Sequence, residues 1–264
     1  IHINKGILWL GTTTGGVYCL NIDKKELTHP IQKGNITSFY QDSEGELWIG
    51  SWEEGLFRVK ADGAIKNFKY NAKNPHSLSS NFVRACCEDN LGNIWIGTFN
   101  GLNRYNKITG LFQNHTASDT QADGLTHSSI WCIVKDNQGT LWLGTYFGGV
   151  NYFNPEYEIY TRYSYSSNEK KGLSNPVVGR TIEDKDGNLW IGTEGGGLNY
   201  YNRRTREFKW YRPQEGRNSI SHNNVKALYY DADKEIIWIG THLGGLNKLD
   251  IRSGHFTHYR MEEG

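Results

Sequence analysis

Five side chains that could bind a sugar stand at the same place in a repeated phrase. Each follows a recurring tryptophan by four residues, within a glycine-rich turn: Trp52, Phe99, Tyr146, Glu194 and His242. Aromatic rings can stack on the C–H face of a sugar, while carboxylates and imidazoles form hydrogen bonds with its hydroxyl groups. These residue types predict a carbohydrate-binding site, provided that the fold brings the turns together.

Three further candidates lie near the starts of predicted strands: Trp131, Arg84 and Arg180. Trp131 stands outside the register of the recurring tryptophans, and the two arginines could meet an acidic sugar. Two alternatives stay open at this level. Trp131 could instead pack between neighbouring repeats, and the arginines could pair with carboxylates on adjacent strands.

Catalysis would require two carboxylates, or an acid–base group centred on histidine, at one place. The aspartates recur with the repeat itself, each at the head of a turn that ends in glycine: Asp42, Asp89, Asp136 and Asp184. That periodicity favours a structural role in the turn. The nine histidines are scattered, and the four cysteines have no metal-ligand spacing. The sequence therefore predicts no catalytic residue, no metal site and no cofactor.

The candidate residues are positioned by a phrase that recurs six times. In its clearest copy, residues 189–201, an apolar run with a tryptophan leads through Gly-Thr and a glycine turn into a second alternating run. This is the pattern of a β-hairpin. The recurring tryptophans are Trp9, Trp48, Trp95, Trp142, Trp190 and Trp238, at spacings of 39, 47, 47, 48 and 48 residues. A period of about 40–50 residues built from short strands is typical of a propeller blade.

Each full repeat contains four strand-like runs, and long polar links join one repeat to the next. The fold predicted is therefore all-β: one β-propeller domain of four-stranded antiparallel blades, or a fragment of one, over residues 1–264. A first strand for the repeat of Trp9 is expected upstream of Ile1. We therefore predict six sets of second, third and fourth strands but only five first strands, so that the repeats leave a gap beside the first blade or form an incomplete arc of a larger ring.

Charge and hydropathy exclude two classes of protein. The net charge is +1 and no cluster of Lys and Arg stands out, which argues against a nucleic-acid partner. No run of about 18 apolar residues is present, so no segment is predicted to span a membrane. Residues 1–5 have neither a start Met nor the apolar core of a signal peptide. We expect the chain to be a portion of a longer protein.

The phrase D-x-x-G-N-L-W-I-G-T-x-G-G-L-N-x-Y, matched best by residues 184–201 and nearly as well by 89–105, resembles the two-component regulator propeller repeat. Members of that family are mostly extracytoplasmic sensor regions of bacterial histidine kinases. Many of them belong to hybrid two-component systems that sense oligosaccharides. The resemblance implies seven-bladed propellers, an immunoglobulin-like domain, a membrane helix and a cytoplasmic kinase in the whole protein.

The resemblance implies a periplasmic sensing propeller within an inner-membrane protein, which binds an oligosaccharide and signals across the membrane by phosphorelay. Its expected partners are the remaining blades, the immunoglobulin-like domain, the membrane helix and the kinase, with a homodimer formed through the full-length protein. The chain itself is expected to have no enzymatic activity. Two alternatives remain: a propeller scaffold for protein interactions, and a propeller glycosidase or lyase.

Overall fold

The computed structural model describes residues 1–117, 124–155 and 159–260, and these residues form 24 β-strands in six four-stranded sheets. Every sheet has its strands in sequence order, and the strand pairs are antiparallel. The described residues contain one short 3₁₀ helix, Glu169–Lys171, and no helix long and apolar enough to cross a bilayer. Residues 118–123, which belong to one of the predicted polar links between repeats, lie outside the described residues.

The chain divides into two compact units. The first, residues 1–117 and 128–133, contains blades 1 to 3 and the beginning of a further strand. Blade 1 consists of β1 (His2–Asn4), β2 (Ile7–Gly11), β3 (Val17–Asn21) and β4 (Glu26–Ile31). Blade 2 consists of β5 (Ile36–Gln41), β6 (Leu47–Ser51), β7 (Leu56–Val59) and β8 (Ile65–Phe68). Blade 3 consists of β9 (Val83–Glu88), β10 (Ile94–Thr98), β11 (Gly101–Tyr105) and β12 (Phe112–His115).

The second unit comprises residues 118–127 and 134–264. Blade 4 consists of β13 (Ile130–Lys135), which begins in the first unit, β14 (Leu141–Thr145), β15 (Val150–Asn154) and β16 (Ile159–Tyr163). Blade 5 consists of β17 (Val178–Glu183), β18 (Leu189–Thr193), β19 (Leu198–Asn202) and β20 (Glu207–Tyr211). Blade 6 consists of β21 (Val225–Asp231), β22 (Ile236–Thr241), β23 (Gly245–Asp250) and β24 (Phe256–Tyr259).

These sheets confirm the prediction of an all-β chain of four-stranded antiparallel blades, but the prediction that blade 1 lacks its first strand is wrong. The strand β1 pairs with β2 in the register from His2 with Trp9 to Asn4 with Ile7. Lys5 and Gly6 join the two strands with φ angles of 45° and 75°. Such a two-residue turn suits a tight hairpin. It replaces the longer aspartate turn of the other blades, so the first strand lies closer to the tryptophan than the repeat implied.

In blades 2 to 5, the aspartate at the head of this turn fixes the recurring tryptophan. In blade 3, Asp89 Oδ1 accepts the backbone N–H groups of Leu91 and Asn93, both at 2.9 Å. Its second oxygen, Oδ2, accepts the indole N–H of Trp95 at 2.7 Å. Asp42, Asp136 and Asp184 likewise accept the indole N–H groups of Trp48, Trp142 and Trp190, at 2.9, 2.7 and 3.1 Å. These carboxylates therefore hold the turn and the tryptophan, as the structural interpretation predicted.

The second strand of a blade is crowded on both faces, which explains the glycine two residues after each tryptophan. All five residues of β18 are buried. A Cβ at Gly192 would lie 2.5 Å from Val225 Cγ1 on the neighbouring blade, too close for any larger residue. Gly197, directly before β19, has a φ of 81°, and a Cβ there would meet the Tyr211 carbonyl oxygen at 2.2 Å. The repeated glycines therefore set blade packing and hairpin geometry.

Candidate functional site

Backbone hydrogen bonds place the turns between second and third strands beside the links that precede first strands. In the first unit, Phe99 N donates to Phe82 O at 3.0 Å, and Gly101 N donates to Ser128 O at 2.7 Å. In the second unit, Gly197 N donates to Asn223 O, also at 2.7 Å. Within each unit, the turns that carry the predicted site residues therefore lie at the same end of the sheets as the links.

A buried asparagine on the third strand holds the link in place. Asn103 Oδ1 accepts the backbone N–H of Ser79 at 2.7 Å, while its Nδ2 donates to Ser79 Oγ at 2.9 Å. The same paired contacts join Asn151 to Thr126, Asn199 to Ser174 and Asn247 to Ser221. Sequence reasoning missed this role. The signal was an asparagine recurring inside strands, where that residue is normally depleted.

Four of the predicted site residues meet in the first unit, around a guanidinium. Arg84 Cζ lies 4.2 Å from the ring centroid of Trp52 and 4.2 Å from that of Trp131. Trp52 also contacts Phe82 edge-on at 5.0 Å, and Phe82 lies 6.2 Å from Phe99. We call these five residues, Trp52, Phe82, Arg84, Phe99 and Trp131, the Arg84 cluster.

The Arg84 cluster combines fixed aromatic rings with partial access to solvent. Phe99 is 52% exposed, and the other four side chains are half-buried. A guanidinium stacked on tryptophan is attracted by the ring quadrupole, with a contribution of about 0.5–2 kcal/mol per contact. Because the planar guanidinium contacts two indoles, it limits the rotation of both. The arrangement can therefore offer pre-ordered ring surfaces to an apolar face of a ligand.

Phe82 is the member of the Arg84 cluster that sequence reasoning missed. It lies at the end of the link, two residues before Arg84, and forms a bridge with Trp52 through the backbone. The available signal was an aromatic residue directly before a first strand, beside a predicted site arginine. For Trp131, the alternative of packing against its neighbours is partly realised, since it is half-buried against Arg84.

In the second unit, Tyr146 belongs to a separate aromatic group. Its ring lies 4.3 Å from that of Phe147 and 6.5 Å from that of His127. Phe147 is 56% exposed. Tyr146 itself is half-buried.

Of the other three predicted residues of the second unit, Glu194 and His242 both contact Asn224, and Arg180 lies in the first strand of blade 5. The Glu194 carboxylate forms an ion pair with Lys226, and Glu194 forms an isolated β-bridge with Asn224. The backbone N–H of His242 donates to Asn224 O at 2.9 Å. Arg180 is exposed, and its Nη1 donates to the Gly179 carbonyl at 3.0 Å.

The pairs Trp52–Arg84 and Glu194–Lys226 occupy equivalent positions in two different pairs of blades. Trp52 and Glu194 each follow the recurring tryptophan by four residues, and Arg84 and Lys226 are each the second residue of the next first strand. The same backbone geometry thus presents an aromatic–cation pair in the first unit and an ion pair in the second. In the described part of the chain, no group of three or more His, Cys, Asp or Glu side chains could hold a metal ion.

The family model described as the two component regulator propeller matches five segments of this chain: residues 30–53, 77–100, 124–147, 172–195 and 219–242. Each segment covers a first strand, a second strand and the beginning of the turn that carries a predicted site residue. The segment around Trp9 is not among the matches, and blade 1 lacks the aspartate turn that the other repeats share. No curated protein matches the chain.

The chain is similar to two kinds of solved structure. One is the extracellular domain of a protein described as a hybrid two-component system from B. thetaiotaomicron, with 20% identity, a TM-score of 0.79 and coverage of 100% of this chain and 34% of that one. The other is virginiamycin B lyase from Staphylococcus aureus, with 16% identity, a TM-score of 0.75 and coverage of 100% and 84%.

The chain thus spans about a third of the length of the extracellular domain that it resembles. At these identities the structural likeness shows the fold alone, and it is shared by an extracellular domain of a two-component system and a lyase. The repeats are more specific, because five matched segments recur in register on four-stranded sheets. The chain therefore belongs to the two-component regulator propeller repeat family and has a β-propeller fold.

Proposed function

We propose that this propeller is the ligand-sensing region of a sensor histidine kinase, lies outside the cytoplasm and binds an oligosaccharide. The observation that carries the ligand class is the Arg84 cluster, in which one guanidinium contacts two indoles beside the exposed Phe99. A pyranose presents a C–H face that can stack on such rings, and its hydroxyl groups can bond to the backbone and amides of the adjoining links.

The proposed role of Arg84 is to position the two indoles. Lysine would not substitute for it, because a compact ammonium cannot stack along both rings as a planar guanidinium does. Fixing the rings before the ligand arrives reduces the entropy lost on binding. Arg84 is thus a positioning residue, and Trp52 and Phe99 are the proposed contact residues.

Signalling requires more protein than this chain. We propose that its partners are further blades, an immunoglobulin-like domain, a membrane helix and a kinase, joined in an inner-membrane protein that dimerises. The likeness to the extracellular domain of a hybrid two-component system, three times longer, supports this arrangement. A bound sugar would shift the sensor between two states only to the extent that it binds them with different affinities.

We propose no catalytic activity for this chain, although a lyase shares its fold. The four turn aspartates are engaged by the indole N–H groups of the recurring tryptophans, which supports the proposal. Purified protein incubated with plant and host polysaccharides should release no reducing ends or unsaturated products. Turnover at an enzyme-like rate would contradict the sensor proposal.

Substituting Trp52 by Ala should weaken oligosaccharide binding several-fold while leaving the protein folded. Loss of one aromatic contact is expected to cost about 1 kcal/mol. The measurement is calorimetric titration with the best ligand from a thermal-shift screen of neutral oligosaccharides. Arg84→Lys should weaken binding less than Trp52→Ala, and the indole emission should shift because the two rings are no longer held.

The matched control is Trp210→Ala, which removes a half-buried indole outside the Arg84 cluster. Trp210 Nε1 donates to the Gly172 carbonyl at 2.9 Å, in the second unit. Binding should therefore be unchanged in this variant. If Trp52→Ala binds like the parent, or Trp210→Ala alone loses binding, the Arg84 cluster is not the sugar site.

A further inference from the structure

A second candidate site lies wholly within the second unit, away from the turns that carry the predicted site residues. It is a cavity of about 390 Å³ at blades 4 and 5, walled by Trp142, Tyr152, Tyr163, Tyr201, Arg203 and Arg206. Its volume falls at the lower end of the range of about 300–1,000 Å³ found for small-molecule sites. We propose that this cavity binds an acidic sugar unit, with the sugar ring against Tyr163 and its carboxylate on Arg206.

The cavity exists because one position of the repeat carries a short side chain in blade 4. The last residue of a fourth strand stacks on the recurring tryptophan of its own blade. Tyr163 lies 6.0 Å from Trp142 with an interplanar angle of 9°, and Phe68 lies 6.2 Å from Trp48 with an angle of 15°. The stacking is therefore the same in blades 2 and 4.

The blades differ in the residue that lies two positions before the last residue of the fourth strand. In blade 2 it is Lys66, whose Nζ lies 4.8 Å from the centroid of Phe68. In blade 5 it is Lys209, whose Nζ lies 4.8 Å from the centroid of Tyr211. In blade 4 the equivalent residue is Thr161, which lines the cavity and pairs across the sheet with Tyr152. No lysine chain covers Tyr163, and its ring is left open to a ligand.

The charge that lines this cavity is positive, but its two arginines differ. Arg203 Nη2 lies 2.7 Å from Asp136 Oδ2, its Cζ lies 5.4 Å from the Trp142 ring, and its Nη1 lies 3.7 Å from Glu183 Oε1. The positive charge of Arg203 is therefore balanced by neighbouring carboxylates of the protein. Arg206 is exposed in the turn between β19 and β20, and among the described residues it has no ion-pair partner. Arg206 is thus the cation available to an incoming carboxylate.

A hydroxyl donor completes the site. Tyr163 and Tyr201 share one hydrogen bond between their hydroxyl oxygens at 2.7 Å. Because each phenol carries one O–H, the pair retains one donor for a sugar hydroxyl. Burial, followed by the bond to Tyr163, raises the pKa of Tyr201, so the Tyr201 phenol is neutral at physiological pH. Ring face, cation and hydroxyl donor together match a uronic acid better than a neutral sugar.

The test is Thr161→Lys, which places in blade 4 the residue that blades 2 and 5 already carry. The lysine chain should cover Tyr163 and fill the cavity without unfolding the protein, as far-UV circular dichroism would show. In the Trp52→Ala background, which removes the proposed sugar contact of the Arg84 cluster, saturation-transfer NMR should show binding of methyl β-D-glucuronoside, weaker binding of methyl β-D-glucoside, and no saturation transfer once Thr161→Lys is added. The matched control, Thr161→Ser, should bind like the parent.

A second variant tests whether Arg206 binds the carboxylate of the sugar, and it does not depend on filling the cavity. Arg206→Gln should weaken binding of the glucuronoside about two- to five-fold, the effect of one exposed ion pair, and leave the glucoside unchanged. Binding of the glucuronoside should persist in the Trp52→Ala background, which separates this site from the Arg84 cluster. Equal binding of the two glycosides, normal binding by Thr161→Lys, or loss of binding in Trp52→Ala would each overturn the proposal.

Discussion

Replacing Trp190 by Ala is expected to lower the free energy of unfolding by about 3–5 kcal/mol, the range for truncating a buried Trp. Trp190 is 2% exposed, and its ring lies 4.7 Å from that of Tyr200 and 5.7 Å from that of Tyr211. Its indole N–H also donates to Asp184 Oδ2 at 3.1 Å. The substitution opens a cavity and deprives a buried carboxylate of a donor, so two costs add.

Urea unfolding followed by circular dichroism and by fluorescence would measure this change, with the midpoint and slope compared between variants. Trp190→Phe separates the two costs. A phenyl ring keeps most of the packing but cannot donate to Asp184, and a buried acceptor without its donor costs about 1–3 kcal/mol. A loss below about 1 kcal/mol in Trp190→Ala would contradict the assignment of the recurring tryptophans as core residues.

The second large effect is expected for Lys107→Met, which removes a charge at the aspartate turns of blades 2 and 3. Lys107 is 10% exposed in its side chain, and its Nζ lies 2.8 Å from Glu88 Oε1 and 3.3 Å from Asp42 Oδ2. Burial disfavours the ammonium, yet the bond to Glu88 and the charge of Asp42 outweigh it and raise the pKa of Lys107. Methionine keeps the length of the side chain but leaves two buried carboxylates without their cation.

At neutral pH this variant should lose roughly 3 kcal/mol of unfolding free energy, the lower end of the cost of breaking a buried ion pair. The loss should shrink only at alkaline pH. Because the pKa of Lys107 is raised in the folded state, its contribution to stability is fully present below the unfolded lysine pKa of about 10.4 and is lost as the pH rises through the folded-state pKa. Urea unfolding at pH 7 and pH 11 would test the size and the sign of this effect.

Lys170→Met is the matched control for Lys107. Lys170 pairs with Glu207 at 3.2 Å, but the two side chains are 71% and 48% exposed. Solvent-exposed pairs contribute about 0–1 kcal/mol, so this variant should unfold almost like the parent. If the two variants behave alike, the Lys107 contacts are no stronger than those of a surface ion pair.

Much of the fold could be predicted from the sequence because short local patterns determine its strands and turns. The recurring Trp-Ile-Gly phrase predicted the second strand, and the turn that begins with Asp184 was correctly interpreted as structural. The first strand of blade 1 was missed because His2–Asn4 is only three residues long and is joined by an unusual turn. A register taken from the other repeats could not anticipate a hairpin that omits the aspartate.

The candidate sites depended more on tertiary contacts. The sequence identified Trp52, Arg84 and Trp131 as separate candidates, from turn position and from strand starts. That one guanidinium contacts both indoles follows from the packing of neighbouring blades, which joins residues 32 and 47 positions apart. The structure also places Glu194 beside Lys226 at equivalent positions, where the residue types differ although the backbone pairing is alike.

The sequence by itself determined that six repeats of short antiparallel strands are present, because each repeat has the same short-range pattern of apolar runs and turn residues. Only the tertiary structure decided which non-repeating side chains meet. Thr161 illustrates the difference. In the sequence it is an ordinary strand residue. Its importance appears only in the structure, where a lysine at the equivalent position covers an aromatic ring in blades 2 and 5. Contacts between blades depend on the side-chain lengths of residues far apart in the chain, and no local pattern encodes those distances.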